Sequence, residues 1–146
     1  MTEEPAWLAT ARTFIGTSEI KGRKHNPTIV EFLTQSGMKA KGRDTDEAAW
    51  CAAFVLHCLR STREKVDYPA KPHRARSWET YGTPLAERKV GAVVVVSPTP
   101  GTRRRHVGFY LADEGDRVVL LGGNQDDQVN EKSYPGTNAV FRWPPD

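Results

Sequence analysis

The sequence predicts an α+β protein in which helices come first along the chain and an antiparallel β-sheet follows. Apolar residues recur at helical spacing in two early segments, 6–15 and 27–36. From Gly91 onward the pattern changes to short β-branched and apolar runs separated by turn residues. Because helices and strands are segregated rather than alternating, we expect the strands to pair antiparallel. Residues 1–146 contain no repeat or low-complexity stretch, so we expect one domain.

The first two helices have recognisable ends. Pro5 suits the first position of a helix over residues 6–15, and Gly16 can end it. Pro27 and Gly37 stand in the same relation to the second helix. These end signals agree with the apolar spacing, so both helices are predicted from two independent observations.

The third helix is expected to begin between Asp46 and Ala49, because Asp44, Thr45 and Asp46 all favour the N-cap position. One face then carries four residues at helical spacing, namely Cys51, Phe54, Val55 and Cys58. Along a helix the two cysteines are separated by about 10.5 Å at the standard rise per residue. That separation exceeds the span of a disulfide, so both are expected to be free thiols.

The rest of the chain divides into loop, helical and strand segments. Residues 61–76 are charged and interrupted by proline, which is typical of a loop, and a short helical piece over 76–81 ends at Gly82. Four strands are predicted, at 92–96, 107–111, 117–121 and 139–142.

Composition limits the classes of function. The chain has a formal net charge of +3 and a pI near 9.0, which weakly favours anionic partners. Its lysines and arginines are dispersed without interleaved aromatics, so we expect no nucleic-acid partner. No apolar run approaches the roughly 20 residues of a membrane span, so no membrane insertion is expected. The acidic segment 1–5 lacks the pattern of a signal peptide, and we expect synthesis in the cytoplasm.

Cys51 and His106 are the strongest candidates for catalysis. A helix N-terminus stabilises an anion, so a cysteine in the first turn is expected to have a lowered pKa. His106 lies where a loop enters an apolar strand, and it follows three arginines, 103–105, whose charge favours a neutral imidazole. His25, His57 and His73 lack such a position. The alternative is that Cys51 is a small buried apolar residue and His106 an inert residue at a strand edge.

A third polar group should orient the imidazole, and hairpin register decides which one. A three-residue loop containing Gly115, or one bulge, pairs the strands so that Asn124 faces His106. A two- or four-residue turn centred on Glu114-Gly115 instead makes His106 face Gly123, with Gln125 as its diagonal neighbour. The sequence favours Asn124, with Gln125 as the second choice. The paired glycines 122–123 indicate a bulge or a close approach of backbone.

Four motifs in this order resemble the NlpC-type and CHAP-type papain-like hydrolases. They are Trp-Cys-Ala-Ala-Phe-Val at 50–55, Ala-Arg-Ser-Trp at 75–78, His-Val-Gly-Phe at 106–109 and Leu-Gly-Gly-Asn-Gln at 121–125. More narrowly, they resemble a branch found in phage lysis proteins and bacterial antagonism effectors. The resemblance covers nearly the whole chain. It implies a papain-like core, a Cys/His pair with a polar third residue, and peptide or amide bonds of peptidoglycan as substrate.

On this basis we expect Cys51, His106 and Asn124 to be catalytic, and Trp50, Trp78 and Gln125 to contact substrate. No cofactor and no metal are expected, because the two cysteines lack the spacing of zinc ligands. We expect a monomer that acts on the wall after holin-dependent release or after delivery as an effector with an immunity protein. The sequence leaves open which peptidoglycan bond is cleaved. The alternative is a non-catalytic module of the same fold that binds cell wall or protein.

Overall fold

A computed structural model describes residues 4–18, 26–37, 50–63 and 67–145. Within these ranges the protein is α+β, with helices preceding a six-stranded antiparallel sheet. The predicted class and the segregation of helices from strands are confirmed.

Three α-helices lie in the described residues: α1 (Ala6–Thr13), α2 (Pro27–Gln35) and α3 (Cys51–Thr62). Pro27 is the first residue of α2, as predicted, whereas Pro5 is the N-cap of α1 and not its first residue. Gly16 and Gly37 follow these helices with φ of 97° and 78°, values that favour glycine. A 3₁₀ helix, Ala75–Thr80, corresponds to the short helical piece predicted before Gly82.

α3 begins at Cys51, with Trp50 as its N-cap, so the predicted start between Asp46 and Ala49 is wrong. The three residues predicted to cap it, Asp44, Thr45 and Asp46, lie outside the described residues. Cys51 is in the first turn, as predicted, and both cysteines are free thiols.

The strands are β1 (Thr83–Pro84), β2 (Val93–Val96), β3 (His106–Glu114), β4 (Arg117–Gln125), β5 (Gln128–Pro135) and β6 (Val140–Trp143). Their order across the sheet is β1-β6-β2-β3-β4-β5. The sequence does not predict β5, because its buried Val129 and Tyr134 are separated by four polar residues. The signal that would have found it is Asp126-Asp127, both with positive φ, which is the backbone of a tight hairpin turn.

Apolar side chains are buried on both faces of the sheet. The helices cover one face, where Phe54 of α3 packs against Phe109 of β3 with ring centroids 6.4 Å apart. A smaller cluster on the other face includes Val94, Leu120 and Tyr134. The start of α3 therefore lies against the middle strands, which brings Cys51 close to the sheet.

The β3–β4 hairpin changes register along its length. Its turn is Gly115-Asp116, and a bulge lies between Tyr110 and Ala112. Beyond the bulge Phe109 pairs with Leu121, which is the register predicted for a hairpin with one bulge. β4 then has a second irregularity against β5, between Gly122 and Gln125.

Candidate active site

Cys51 and His106 line one cavity of about 730 Å³, where the start of α3 meets β3, β4 and β5. Both residues are only 7% exposed. Asn124 and Tyr134 also line this cavity. The two residues that the sequence selects as nucleophile and base are therefore brought to the same site.

Gln125 holds the imidazole of His106. Its side-chain oxygen lies 2.9 Å from His106 Nε2. The amide nitrogen of Gln125 donates to the backbone oxygens of Leu120 at 3.2 Å and Asn130 at 2.7 Å. Because these acceptors fix which end of the amide faces the histidine, Nε2 must carry the proton. The neutral imidazole therefore has an unprotonated Nδ1.

This arrangement corrects the sequence-based choice of Asn124 as the residue opposite His106. Beyond the hairpin bulge the strands have the register that would place Asn124 opposite His106. The second irregularity, between Gly122 and Gln125, interrupts this register before it reaches Asn124. Asn124 itself has a φ of 57°, in the left-handed region, so the alternation of side chains is broken there. Asn124 consequently lines the cavity, whereas Gln125 is 1% exposed and bonded to His106. Gln125, the second choice from the sequence, is thus the residue that contacts the imidazole.

The two glycines of β4 make room for this geometry. A Cβ on Gly122 would lie 2.6 Å from the side-chain oxygen of Gln125 and 3.4 Å from His106 Nε2. A Cβ on Gly123 would lie 2.5 Å from the ring of Trp50 and 2.9 Å from Cβ of Phe54. The close approach predicted from the paired glycines is confirmed, and each glycine admits a different neighbour.

Burial raises the pKa of Cys51, contrary to the lowering expected from its helix position. Hydrogen bonds from the backbone N–H groups of Val107, Ala52 and Cys51 lower that pKa, as does the charge of Arg104. These contributions are smaller than the cost of placing a thiolate out of water. At neutral pH Cys51 is therefore a thiol.

Burial also lowers the pKa of His106, to about 4. Arg104 and Lys132 lower it further by charge, while the hydrogen bond with Gln125 raises it. The influence expected of the arginine run is thus present through Arg104. Both Cys51 and His106 are therefore uncharged at neutral pH.

Trp50 and Trp78 do not line the cavity, which corrects their expected role in substrate contact. Both are fully buried in the cluster between the helices and the sheet. The indole nitrogen of Trp78 donates to the Pro72 carbonyl at 3.1 Å. Their contribution is structural: Trp50 in particular packs on Gly123 beside the site.

The other histidines are away from this cavity or outside the described residues. His57 accepts or donates a hydrogen bond at 2.7 Å with the Gln35 side chain and packs against Phe14 and Phe32. His73 lies in the segment before the 3₁₀ helix. His25 lies outside the described residues.

Charged side chains surround the cavity mouth. Lys132 is paired with Asp126 at 2.7 Å, and Arg105 lies 3.3 Å from Glu79. Arg104 lines the cavity and forms no side-chain ion pair within the described part of the chain. Four Lys or Arg residues and two Asp residues line the cavity, so a negatively charged group entering it would meet a net positive charge.

Comparison with models of protein families gives no match, and comparison with curated proteins gives none. Within the described ranges, no helix combines the length and apolar character needed to cross a membrane.

Proposed function

We propose that this protein is a cysteine hydrolase that cleaves a peptide or amide bond of peptidoglycan. The observation that carries the proposal is the fixed tautomer of His106 in the cavity that also contains Cys51. A neutral imidazole whose protonated nitrogen is held by Gln125 offers its other nitrogen as a base. An imidazole held in this tautomer can accept a proton from a neighbouring nucleophile, whereas a purely structural histidine does not need a fixed tautomer.

In the proposed reaction the Cys51 sulfur attacks the carbonyl carbon of the scissile amide, and the thiol proton passes to His106 Nδ1. The protonated imidazole then gives this proton to the leaving amine as the C–N bond breaks. Water, deprotonated by His106, hydrolyses the resulting thioester and restores the thiol. Gln125 acts as a positioning residue that keeps the imidazole oriented through both steps.

The substrate class follows from the resemblance and from the cavity. The nucleophile at a helix start and the base on an antiparallel sheet form the arrangement expected of a papain-like core. The motifs at 50–55 and 121–125 resemble enzymes of peptidoglycan, and each of the two contributes a residue to the site. Wall peptides bear carboxylates, which agrees with the positive charge of Arg104 at the cavity.

The decisive experiment compares two cysteine variants of the same helix. Cys51→Ala should reduce cleavage of defined muropeptides by more than about 1,000-fold, as judged by mass spectrometry of the products. Cys58→Ala is the matched control, because Cys58 is fully buried and does not line the cavity. It should lose about 1 kcal/mol of stability and keep its turnover. Cleavage that survives in folded Cys51→Ala would reject the proposal.

A second candidate is a non-catalytic module that binds wall peptides. The burial of Cys51 and its raised pKa favour this candidate, since both reduce the reactivity of the thiol. Isothermal titration with the same muropeptides separates the two functions. Binding by the wild-type chain without any product would support the module, whereas product formation would exclude it.

A further inference from the structure

Tyr134 of β5 lines the cavity and has no role predicted from the sequence. It is 7% exposed and lines the cavity together with Cys51. Its ring stacks on the imidazole of His106, with centroids 4.8 Å apart and an interplanar angle of 25°. His106 is therefore held at its edge by Gln125 and on its face by Tyr134.

The Tyr134 hydroxyl forms no hydrogen bond within the described part of the chain. Burial raises the pKa of this phenol, and the neighbouring Cys51 raises it further. The hydroxyl therefore keeps its proton at any pH where the site would work. It is a neutral donor in the cavity that Cys51 also lines.

Several other side chains at the site can also donate hydrogen bonds, and some of them are already engaged. The amide nitrogen of Gln125 is used by Leu120 and Asn130, and the Lys132 ammonium is paired with Asp126. The uncharged side chains that line the cavity and can donate to a substrate oxygen are those of Thr99, Asn124, Ser133 and Tyr134. Tyr134 is the one whose ring stacks on His106.

We propose that the Tyr134 hydroxyl donates a hydrogen bond to the substrate carbonyl oxygen as that oxygen gains negative charge. This inference rests on the proposed function. As the bond from Cys51 sulfur to the carbonyl carbon forms, the π electron pair moves to the oxygen, and the thiol proton moves to His106. When the intermediate collapses, the pair returns, the C–N bond breaks and the amine leaves with the proton. A donor present throughout stabilises the charged oxygen more than the neutral carbonyl.

Tyr134→Phe is the direct test, because it removes the hydroxyl and keeps the ring that stacks on His106. We expect kcat to fall about 100-fold with KM changed by less than about threefold, the signature of an interaction gained in the transition state. Tyr110→Phe is the matched control. Its hydroxyl donates to Asp113 at 2.9 Å, away from the cavity, and its loss should leave kcat unchanged.

A peptide aldehyde gives a second readout that a merely structural role would not change. Cys51 adds to the aldehyde to form a hemithioacetal whose oxygen occupies the position of the substrate oxygen. Tyr134→Phe should weaken this inhibitor by a factor similar to the loss in kcat and leave binding of the uncleaved amide unchanged.

Three results would overturn the inference, and they are distinguishable. A wild-type chain that cleaves nothing would remove the proposed function and this inference together. A cleaving enzyme in which Tyr134→Phe keeps both kcat and aldehyde affinity would remove this inference alone. A 100-fold loss in Asn124→Ala with no loss in Tyr134→Phe would assign the donor to Asn124 instead.

Discussion

The two ends of the β3–β4 hairpin differ in how much change they can tolerate. At the turn, Gly115 has no heavy atom within 4 Å of the position of an added Cβ. At the other end, Cβ atoms on Gly122 and Gly123 would lie within 2.6 Å of neighbouring side chains. The residues of the turn are exposed to solvent. The far end of the hairpin, at Gly122 and Gly123, packs between α3 and His106. The hairpin thus has one end where an added side chain meets no neighbour and one end where the backbone position determines how the residues of the site pack.

The strongest test of this difference is Gly123→Ala. The added methyl would overlap the Trp50 ring and Cβ of Phe54, both fully buried. Since neither neighbour can move into solvent, we expect a loss of 3 kcal/mol or more, roughly the upper end for overpacked cores. Urea unfolding measures the loss. A variant as stable as the wild-type protein would show that this end is as permissive as the turn.

Acid should lower the free energy of unfolding of the protein, because His106 at the far end of the hairpin is buried without charge. Its pKa is about 4 in the folded protein and near 6.5 when unfolded, so the unfolded chain binds more protons between these values. Stability should therefore fall as pH decreases from about 6.5 to about 4, by about 3 kcal/mol.

His106→Asn provides the control for this acid effect, with unfolding followed at pH 7 and pH 4.5. His57 also has a pKa lowered by burial and contributes in the same direction. The slope should decrease in His106→Asn by more than in His57→Gln. Equal slopes in the two variants would contradict the burial argument for His106.

Gln125 should affect turnover through the histidine it holds. Gln125→Leu removes the acceptor for Nε2–H and should reduce kcat by about 10- to 100-fold with little change in KM. Gln125→Glu instead places a negative charge beside the imidazole, which raises its pKa.

The acid limb of the pH–rate profile separates a positioning role from a structural one. It should move to higher pH in Gln125→Glu and stay in place in Asn124→Ala. An acid limb that is identical in Gln125→Glu and the wild-type enzyme would remove Gln125 from the mechanism.

The smallest effect is expected at the turn. Gly115→Ala meets no atom, but its φ of 62° is unfavourable for residues with a Cβ. A loss of about 1 kcal/mol is expected, with turnover unchanged. Thermal unfolding and muropeptide cleavage measured on the same preparation provide both readouts. A large loss of turnover would mean that the two ends are coupled.

Much of the fold was predictable because its signals are local. Pro27 and Gly37 bracket a helix that exists, and Cys51 lies in the first turn of its helix as expected. β5 escaped prediction because its buried residues are separated by polar ones and its stability comes from pairing with β4. Patterns within a segment do not contain that information.

The candidate site was predictable in its residues and less so in its roles. Cys51 and His106 meet at one cavity, yet the pKa of Cys51 moves upward because burial outweighs the helix terminus. The predicted register is correct at Phe109 and Leu121 and wrong at Asn124, three residues further along β4. Asn124 has a left-handed φ of 57° within the irregularity between Gly122 and Gln125, and a register counted from regular pairing does not include such a break.

The contact of Trp50 with Gly123 has a mechanical consequence. Trp50 directly precedes Cys51, and Gly123 lies two residues before Gln125. Two aromatic residues, Trp50 and Phe54, pack on bare backbone at Gly123 and so hold the helix that begins at Cys51 against the strand that contains Gln125. Both cysteines are free, so this junction between the two halves of the site depends on packing alone and has no disulfide to support it.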